Sequence, residues 1–371
     1  MAVSSVVQKM KLYGWVLAVA LCGLLALTAC RNDGVSDVPE RLASVTYLVT
    51  PNGLGDNGYN DNAAEGIFAF AGETGTALSL MQPASIEEAG EMIGQWLTDN
   101  AGRDSSFLVI GSSVYMDVTF DAAAAHRDQL DAIRARGGRV LMFESDAQIE
   151  GITSVIISRY GISWLAGAMS QNFNALVLTA MPGNPLLEEA IAGFMAARED
   201  YAGAWEEGPC KTSVHYLSDN TKGFAMPDSA LRYMVRRADD YFFYDEFIFP
   251  LLGGSEAGVI RFLNDDDFMM ALMAGMDIDQ TGLSSRIPFS VVFRIGDVLK
   301  RCLYEWLNDV DWPNCLHFGM RDGAADIIIT PAFADHLTLS DDRYADPDTF
   351  AKLYEKFKEE ALKKEEAYEK E

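Results

Sequence analysis

The sequence predicts an α/β protein built as two doubly wound, Rossmann-like lobes. From residue 43 onward, short apolar and β-branched segments typical of buried strands alternate with segments whose apolar residues recur at helical spacing. Such alternation implies parallel sheets joined by right-handed crossovers. The alternation occurs as two successive series, and 371 residues are too many for one ordinary core. Two lobes therefore account for the chain.

The first series contains four predicted buried strands and three predicted helices, the first of which is indicated by apolar residues at 63, 67, 70 and 71. The strands are expected at residues 43–50, 107–111, 139–143 and 153–157. Ser85 and Glu88 form a capping box, in which Ser is followed three positions later by Glu, so a helix is expected to begin there. A third helix is expected at residues 160–171.

The second series repeats this pattern. Strands are predicted at residues 176–180, 213–217, 246–252 and 268–276, and a helix at 229–238. Asn184 followed by Pro185 is typical of a helix entry, with Asn as cap and Pro in the first turn. Residues 287–293 are expected to form a strand that passes back between the lobes, followed by a helix at 295–307.

The amino terminus has the pattern of an export signal. Lys9 and Lys11 precede an uncharged apolar run, which ends in Leu-Thr-Ala-Cys at residues 27–30. We expect residues 1–29 to be a signal peptide, Cys30 to be the lipidated first residue of the mature chain, and residues 30–42 to form a polar tether. An ordinary signal with a chance cysteine is the alternative.

The pattern also predicts where the lobes begin and end. The first lobe is expected to comprise residues 43–158 plus about 287–312, and the second residues 159–286 plus about 313–336. Residues 337–371 form a charged extension that is rich in Lys, Glu and Ala from residue 352. We expect a final helix to open at Asp346-Pro347, with its tail exposed to solvent.

Composition and spacing exclude several functions. Residues 1–29 carry two lysines and no other charged side chain, so their removal lowers the formal net charge from −26 to −28. Such a charge disfavours nucleic acids and anionic membrane surfaces as partners. The four histidines are scattered, and no phosphate-binding loop or nucleophile motif occurs, so we expect no metal, no cofactor and no enzyme activity. Cys302 and Cys315 either pair or remain thiols.

Candidate ligand residues follow the predicted strands, since ligands bind at the carboxyl ends of strands in open α/β sheets. The glycine-rich loop at 52–66 offers a carboxylate, an aromatic face and an amide, although a surface turn with a helix cap explains the same residues. Three further polar loops follow strands at 111–117, 253–258 and 275–280. The candidates are Asp56, Tyr59, Asn60, Ser112, Asp117, Tyr160, Gly254, Asp277 and Phe293.

Seven short motifs, in order along residues 43–330, resemble those of the basic membrane lipoprotein (BMP) family, which includes purine nucleoside receptors of ABC transporters. D-N-G-Y-N at 56–60 is similar to the family's D-x-S-F-N, and G-M-D-I-D-Q at 275–280 is similar to G-V-D-x-D-Q. The remaining matches are G-S-S-V-Y-M-D at 111–117, W-L-A-G at 164–167, D-N-T-K-G at 219–223, I-F-P-L-L-G-G at 248–254 with G-V-I at 258–260, and S-V-V-F-R at 290–294.

The resemblance implies a type I periplasmic-binding-protein fold and roles for the candidate residues. Tyr59 would stack on a ring, Asp277 would accept hydrogen bonds from a base, and Asp117 would hold a hydroxyl group. For Asp277 an ordinary loop carboxylate, and for Asp117 a helix N-cap, is the alternative. The chain departs from the family at Phe293, which replaces a lysine that binds ribose, and contact with ligand or packing remains open for it. It departs again at residues 159–161, where the family has acidic residues.

The resemblance therefore implies a lipid-anchored, extracytoplasmic solute-binding protein, expected to be a monomer. Its ligand would be a nucleoside or a similar small ring-bearing molecule, and its partner an ABC transporter permease. A sensor or surface lipoprotein without a transporter, and an exported enzyme, are the alternatives. Transcriptional regulators share the two-lobed frame, but the lipidation motif and the charge argue against a regulator.

Overall fold

Twelve strands form two six-stranded sheets in the part of the chain that the structure describes. The structure is a computed structural model that describes residues 43–50, 53–55, 58–201, 210–240, 246–265, 271–330 and 347–370. The predicted signal peptide, the tether and Cys30 therefore lie outside the described residues. Within the described residues, no helix has both the length and the apolar character needed to span a bilayer.

The first sheet has the order β11-β5-β4-β3-β1-β2, and all its strand pairs are parallel. Its strands are β1 (Ser44–Leu48), β2 (Ala77–Met81), β3 (Ser106–Ile110), β4 (Arg139–Phe143), β5 (Thr153–Ile157) and β11 (Cys315–Phe318). The helices between β1 and β4 are α1 (Tyr59–Thr74), α2 (Ile86–Asn100), α3 (Met116–Ala125) and α4 (Arg127–Ala135). The predicted capping box is confirmed, because the backbone N–H of Glu88 donates to Ser85 Oγ over 3.1 Å.

The second sheet has the order β12-β10-β9-β8-β6-β7 and is parallel except for the β10–β12 pair. Its strands are β6 (Asn174–Thr179), β7 (Thr212–Tyr216), β8 (Glu246–Leu251), β9 (Leu272–Asp277), β10 (Phe289–Phe293) and β12 (Ala325–Ile329). The remaining helices are α5 (Tyr160–Met169), α6 (Pro185–Asp200), α7 (Pro227–Asp240), α8 (Glu256–Leu263), α9 (Ile295–Leu307) and α10 (Pro347–Tyr368). Asn184 caps α6 and Pro185 opens it, as predicted.

The chain passes between the sheets three times. The first crossing joins β5 to α5, the second joins β10 to α9, and the third joins β11 to β12. At the first crossing, Glu189 Oε1 accepts hydrogen bonds from Ser158 Oγ and from the backbone N–H groups of Arg159 and Tyr160, over 2.8–2.9 Å. At the second, the Asn62 side chain accepts from the N–H of Gly296 over 2.8 Å.

Two strands lie in the opposite sheet from the one predicted. β10, expected in the first lobe, pairs with β9 and β12, whereas β11, expected in the second lobe, pairs with β5. Helix α9 does pack on α1, beside the first sheet, as the predicted segment required. The Cβ that alanine would add at Gly66 would lie 2.0 Å from the Gly296 carbonyl oxygen, so α1 and α9 cross at a contact that only glycine permits.

The carboxyl-terminal helix differs from the exposed tail that was predicted. Helix α10 packs against α5, and it buries Phe357, Ala361 and Glu365. Tyr368 stacks on Tyr160 with ring centroids 4.2 Å apart. The spacing of four residues between these three positions places them on one face of the helix, among lysines and glutamates that point away from it.

The core is continuous across both sheets. One cluster of buried apolar side chains includes Tyr47 and Phe143 from the first sheet and Phe249 and Phe289 from the second. Cys210, Cys302 and Cys315 are not disulfide-bonded, and Cys302 lies in this core.

Candidate functional site

A cavity of about 190 Å³ lies where the carboxyl ends of the strands of both sheets meet. The residues that line the cavity come from the ends of these strands and from the loops and crossings that follow them. The first sheet and its crossing provide Thr50, Gly58, Tyr59, Asn60, Ser112, Ser113, Val114, Glu144, Arg159 and Ser163. The second sheet and its loops provide Asn184, Leu186, Leu187, Ala190, Thr221, Phe224, Leu251, Leu252, Gly253, Gly254, Glu256, Met276, Asp277, Gln280 and Phe293. The volume suits one small solute, since pockets for drug-sized ligands measure roughly 300–1,000 Å³.

Tyr59 and Asn60 enter the cavity at the start of α1. The Tyr59 hydroxyl donates to the Gly111 carbonyl oxygen over 2.8 Å, which fixes the ring beside the end of β3. Asn60 is 1% exposed, and its amide donates to Thr50 Oγ1 over 2.7 Å. Asn60 therefore also ties the loop to the end of β1.

Arg159, Glu144 and Phe293 form a buried unit at the first two crossings. Arg159 Nη2 donates to Glu144 Oε1, and the guanidinium lies 3.7 Å from the centroid of the Phe293 ring. Arginine prefers to stack on aromatic faces while it pairs with a carboxylate in this way. The unit brings the end of β4 in the first sheet against the end of β10 in the second.

Glu256, Gln280 and Asp277 form the opposite, second-sheet wall. Gln280 Nε2 donates to Glu256 Oε2 over 3.1 Å, and Gln280 is itself held by the Met276 N–H and by Ser290 Oγ. Gln280 therefore fixes the position of the Glu256 carboxyl group in the wall.

The backbone is strained at two cavity residues. Asp277 has a φ of 68° and Glu144 a φ of 58°, in the left-handed region that residues other than glycine seldom adopt; Asp tolerates it better than Glu, so the strain is greater at Glu144. Both residues stand at the carboxyl ends of central strands, β9 and β4 respectively. Strain of this kind concentrates at ligand sites, where the surrounding structure holds it in place.

Burial shifts the protonation equilibria of the cavity. Burial raises the pKa of Glu256 well above its usual range, and nearby Asp277 raises it further against the opposing hydrogen bond from Gln280. Burial also raises the pKa of Glu144, which Arg159 opposes. Burial lowers the pKa of Arg159, but the negative charges of Glu144 and Asp277 raise it by more. The pKa of Arg159 therefore lies above its ordinary value, and the guanidinium stays charged.

Two polar atoms of the cavity residues have no hydrogen-bond partner among the described residues. They are Arg159 Nη1 and Glu256 Oε1, on side chains that are 8% and 5% exposed as whole residues. A buried polar group without a partner costs about 1–3 kcal/mol, and more when it is charged. These two atoms are therefore the places where the cavity is incomplete.

The structure brings together most of the predicted site residues. Tyr59, Asn60, Ser112, Gly254, Asp277 and Phe293 all line the cavity. Asp56 lies outside the described residues. Asp117 instead sits exposed in the first turn of α3, and Tyr160 stacks on α10, so neither lines the cavity.

Sequence reasoning missed Glu144 and Glu256 as site residues and noted Arg159 only as a departure from the family motif. The signal was available for two of them: Glu144 follows β4 and Arg159 follows β5, and the carboxyl ends of neighbouring parallel strands must meet. Among the described residues, no group of three or more His, Cys, Asp and Glu side chains is placed to hold a metal ion.

Comparison with solved structures identifies the architecture. An ABC transporter solute-binding protein from Aeropyrum pernix K1 superposes with a TM-score of 0.68 at 14% identity, covering 86% of this chain and 91% of that one. A periplasmic solute-binding protein from Actinobacillus succinogenes 130z, solved with bound D-allose, gives 0.59 at 11% identity, with 79% and 99% covered. The chain has the type I periplasmic-binding-protein fold.

The same fold occurs with other roles. A transcriptional activator of the comK gene from Bacillus halodurans superposes with a TM-score of 0.56 at 17% identity, covering 82% of this chain and 96% of that one. No family model matches the sequence, and no curated protein matches it. At these identities the likeness establishes the fold, and function has to be argued from the cavity.

Proposed function

We propose that the protein is a lipid-anchored extracytoplasmic solute-binding protein that delivers a nucleoside, or a similar small ring-bearing ligand, to an ABC transporter. The observation that carries the proposal is the small cavity between the two sheets, lined from both of them by aromatic and polar side chains. Contacts from both sheets form together only when the sheets close around a solute, with the three crossings as the hinge. Lipidation of Cys30 and the transporter partner belong to the same proposal.

Each wall has a role in this scheme. The Tyr59 ring, held by its hydroxyl at Gly111, offers a flat apolar face for a ring. Asp277 accepts hydrogen bonds from N–H or O–H groups of the ligand, and Gly254 lets the backbone line the opposite side. A Cβ added at Gly254 would lie 3.2 Å from the Phe224 carbonyl oxygen, a tight contact with backbone.

A monosaccharide is the second candidate ligand. Solved neighbours from Actinobacillus succinogenes and Burkholderia graminis hold D-allose and D-arabinose. Aromatic faces and carboxylates also suit a sugar ring, and the cavity of about 190 Å³ is of a size for one small ring. The sequence carries no recognisable nucleophile motif, which ranks an exported enzyme below both.

The test is a thermal-shift screen of the full chain, purified in mild detergent, against nucleosides, nucleobases, monosaccharides and amino acids, followed by calorimetry. The Asp277→Ala variant should lose about 1.5–3 kcal/mol of binding free energy, on the order of tenfold to a hundredfold in affinity, because it removes charge-assisted hydrogen bonds. Tyr59→Ala should weaken binding as well. Asp117→Ala is the matched control, since that carboxylate follows a strand but lies outside the cavity.

The proposal fails if no ring-bearing compound binds. It also fails if the best compound binds the Tyr59→Ala and Asp277→Ala variants as tightly as it binds the parent protein.

A further inference from the structure

Two unpartnered buried atoms, on side chains that line opposite walls, define what the cavity needs from a ligand. Six buried side-chain atoms lack a hydrogen-bond partner among the described residues, and those of Arg159 and Glu256 are on side chains that line the cavity. Native structures leave few such groups unexplained. A bound solute that supplies both partners removes the cost of leaving them unpaired.

The guanidinium of Arg159 is held so that one donor remains. Glu144 takes Nη2, and the ring of Phe293 covers one face of the group at 3.7 Å from its centroid. Arg159 has donors and no acceptor, so Nη1 requires a lone pair, which a ligand in the cavity can supply. Glu144 is therefore a positioning residue for this contact, and Phe293 is the platform on which the guanidinium rests.

Glu256 offers the second point of contact. Its Oε2 accepts from Gln280 Nε2 over 3.1 Å, while Oε1 has no partner among the described residues. Burial keeps the pKa of this carboxyl well above its usual range. A carboxyl group that holds its proton both donates and accepts, so Oε1 is suited to a carbonyl, hydroxyl or ring N–H group.

The charges around the cavity exclude an anion. Apart from the Tyr59 phenol, the ionisable side chains among its described lining residues are three carboxyl groups, of Glu144, Glu256 and Asp277, and one guanidinium. The single cation is already paired with Glu144. A phosphate or carboxylate on the ligand would be buried beside these carboxyl groups without a counter-charge, which is strongly unfavourable.

We infer that Arg159 and Glu256 determine specificity: they select an uncharged, ring-bearing solute that presents a lone pair to Arg159 Nη1 and a second polar group to Glu256 Oε1, a nucleoside and not its phosphorylated form. The inference rests on the proposed function of the cavity. It adds the residues that choose the ligand and the class of molecules that they reject.

The experiment measures calorimetric affinities of the full chain in mild detergent for inosine, ribose and inosine 5′-monophosphate. The parent protein should bind inosine, and the monophosphate at least 100-fold more weakly. The double variant Glu144→Met/Arg159→Met should bind inosine about 10-fold to 100-fold more weakly than the parent. Glu256→Met should weaken inosine binding about 10-fold, and Asp117→Asn, outside the cavity, should leave it unchanged.

The double variant separates binding from folding. Arg159→Met alone would leave Glu144 buried without its partner and could unfold the protein, whereas removing both members of a buried ion pair is often neutral or stabilising. We therefore expect the ligand-free double variant to melt no earlier than the parent. Arg159→Lys should give an intermediate affinity. Lysine keeps the positive charge, but it lacks the planar guanidinium that can donate to Glu144 and to the ligand at the same time.

The outcomes are distinguishable. If the parent binds inosine and the folded double variant binds it equally well, the inference is wrong and the proposed function stands. Equal affinity for inosine and its monophosphate would overturn the exclusion of anions. Binding of ribose without inosine would overturn the choice of a nucleoside. If neither inosine nor ribose binds and the thermal-shift screen finds no other ligand, both the proposed function and the inference are wrong.

Discussion

Glu365 on α10 should make the stability of the protein depend on pH near neutrality. The side chain is on a residue only 4% exposed, and it packs against Gly161 at the first crossing and Gly319 at the third. Oε1 accepts from the Met320 N–H over 3.0 Å, and Oε2 has no partner among the described residues. Burial raises the pKa of this carboxyl to about 7. Glu369 and Glu189 add to the shift, whereas the Met320 N–H and Arg321 oppose it.

The direction follows from comparing the folded and unfolded states. The ordinary pKa of 4.5 applies when the chain is unfolded, and the folded value is higher, so folding favours the protonated acid. The stability that this provides is complete below pH 4.5 and is lost as the pH rises through about 7. The difference corresponds to about 3 kcal/mol in full, and to about 2–3 kcal/mol between roughly pH 5 and pH 8.5.

Glu365→Gln is the informative substitution, because glutamine keeps an oxygen for the Met320 N–H but cannot ionise. Guanidinium denaturation of parent and variant, followed by tryptophan fluorescence, should be carried out at both ends of that pH range. The parent should lose about 2–3 kcal/mol more than the variant does on going to the alkaline end. Glu366→Gln is the neighbouring control: hydrogen bonds from Lys370 and Arg321 lower the pKa of that exposed carboxyl, so its removal should not reduce the alkaline loss.

Equal pH dependence in the parent and the Glu365→Gln variant would refute the reasoning. It would mean that α10 leaves its site, or admits water to the carboxyl, at a smaller free-energy cost than the burial of Glu365 indicates.

Two further outcomes are expected. Gly66→Ala should destabilise the protein by about 1–3 kcal/mol because the new Cβ would lie 2.0 Å from the Gly296 carbonyl oxygen. Gly72→Ala, on the open side of the same helix, should stabilise the protein by about 0.5–1 kcal/mol. Denaturation of both variants measures the two changes in stability, and changes of the same sign would contradict the contact between α1 and α9. Cys30→Ala should release the protein from the membrane fraction, since stable anchoring needs more than one acyl chain; a variant that still sediments with membranes as the parent does would show that the anchor lies elsewhere.

Local sequence patterns predicted most helices and strands correctly. They failed where the position of a helix or strand depends on the distant segment against which it pairs or packs. The segment that became β10 reads as a buried strand in any parallel sheet, because all five of its residues are buried. Nothing in its sequence distinguishes β9 from a first-sheet strand as its neighbour. No strand was predicted at Ala77–Met81, since this edge strand has only half-buried and exposed positions. The buried face of α10 was overlooked because lysines and glutamates dominate its composition.

The predicted site residues were chosen because they follow the carboxyl ends of predicted strands, and this rule found part of the candidate site. Asp277 ends β9, and Tyr59 and Asn60 begin the helix after the loop that follows β1; all three line the cavity. Asp117 does not, because a 3-10 turn at Ser113–Tyr115 intervenes and the first turn of α3 directs Asp117 to solvent. Arg159 and Glu144 are fifteen residues apart, and their pairing depends on β4 and β5 being neighbours. A helical or strand period in one segment carries no such information.

The second crossing, which returns the chain to the first sheet, has a consequence for biosynthesis. The edge strand of the first sheet, β11, and the helix α9 that covers α1 both come from residues after 290, far behind the strands they complete. A chain that has emerged only to the end of β5 therefore presents an open sheet edge and an uncovered helix, which are features that promote association with other chains. The first sheet cannot be completed until residue 318 is available. Keeping the chain unfolded until residue 318 has been synthesised would avoid exposing both features.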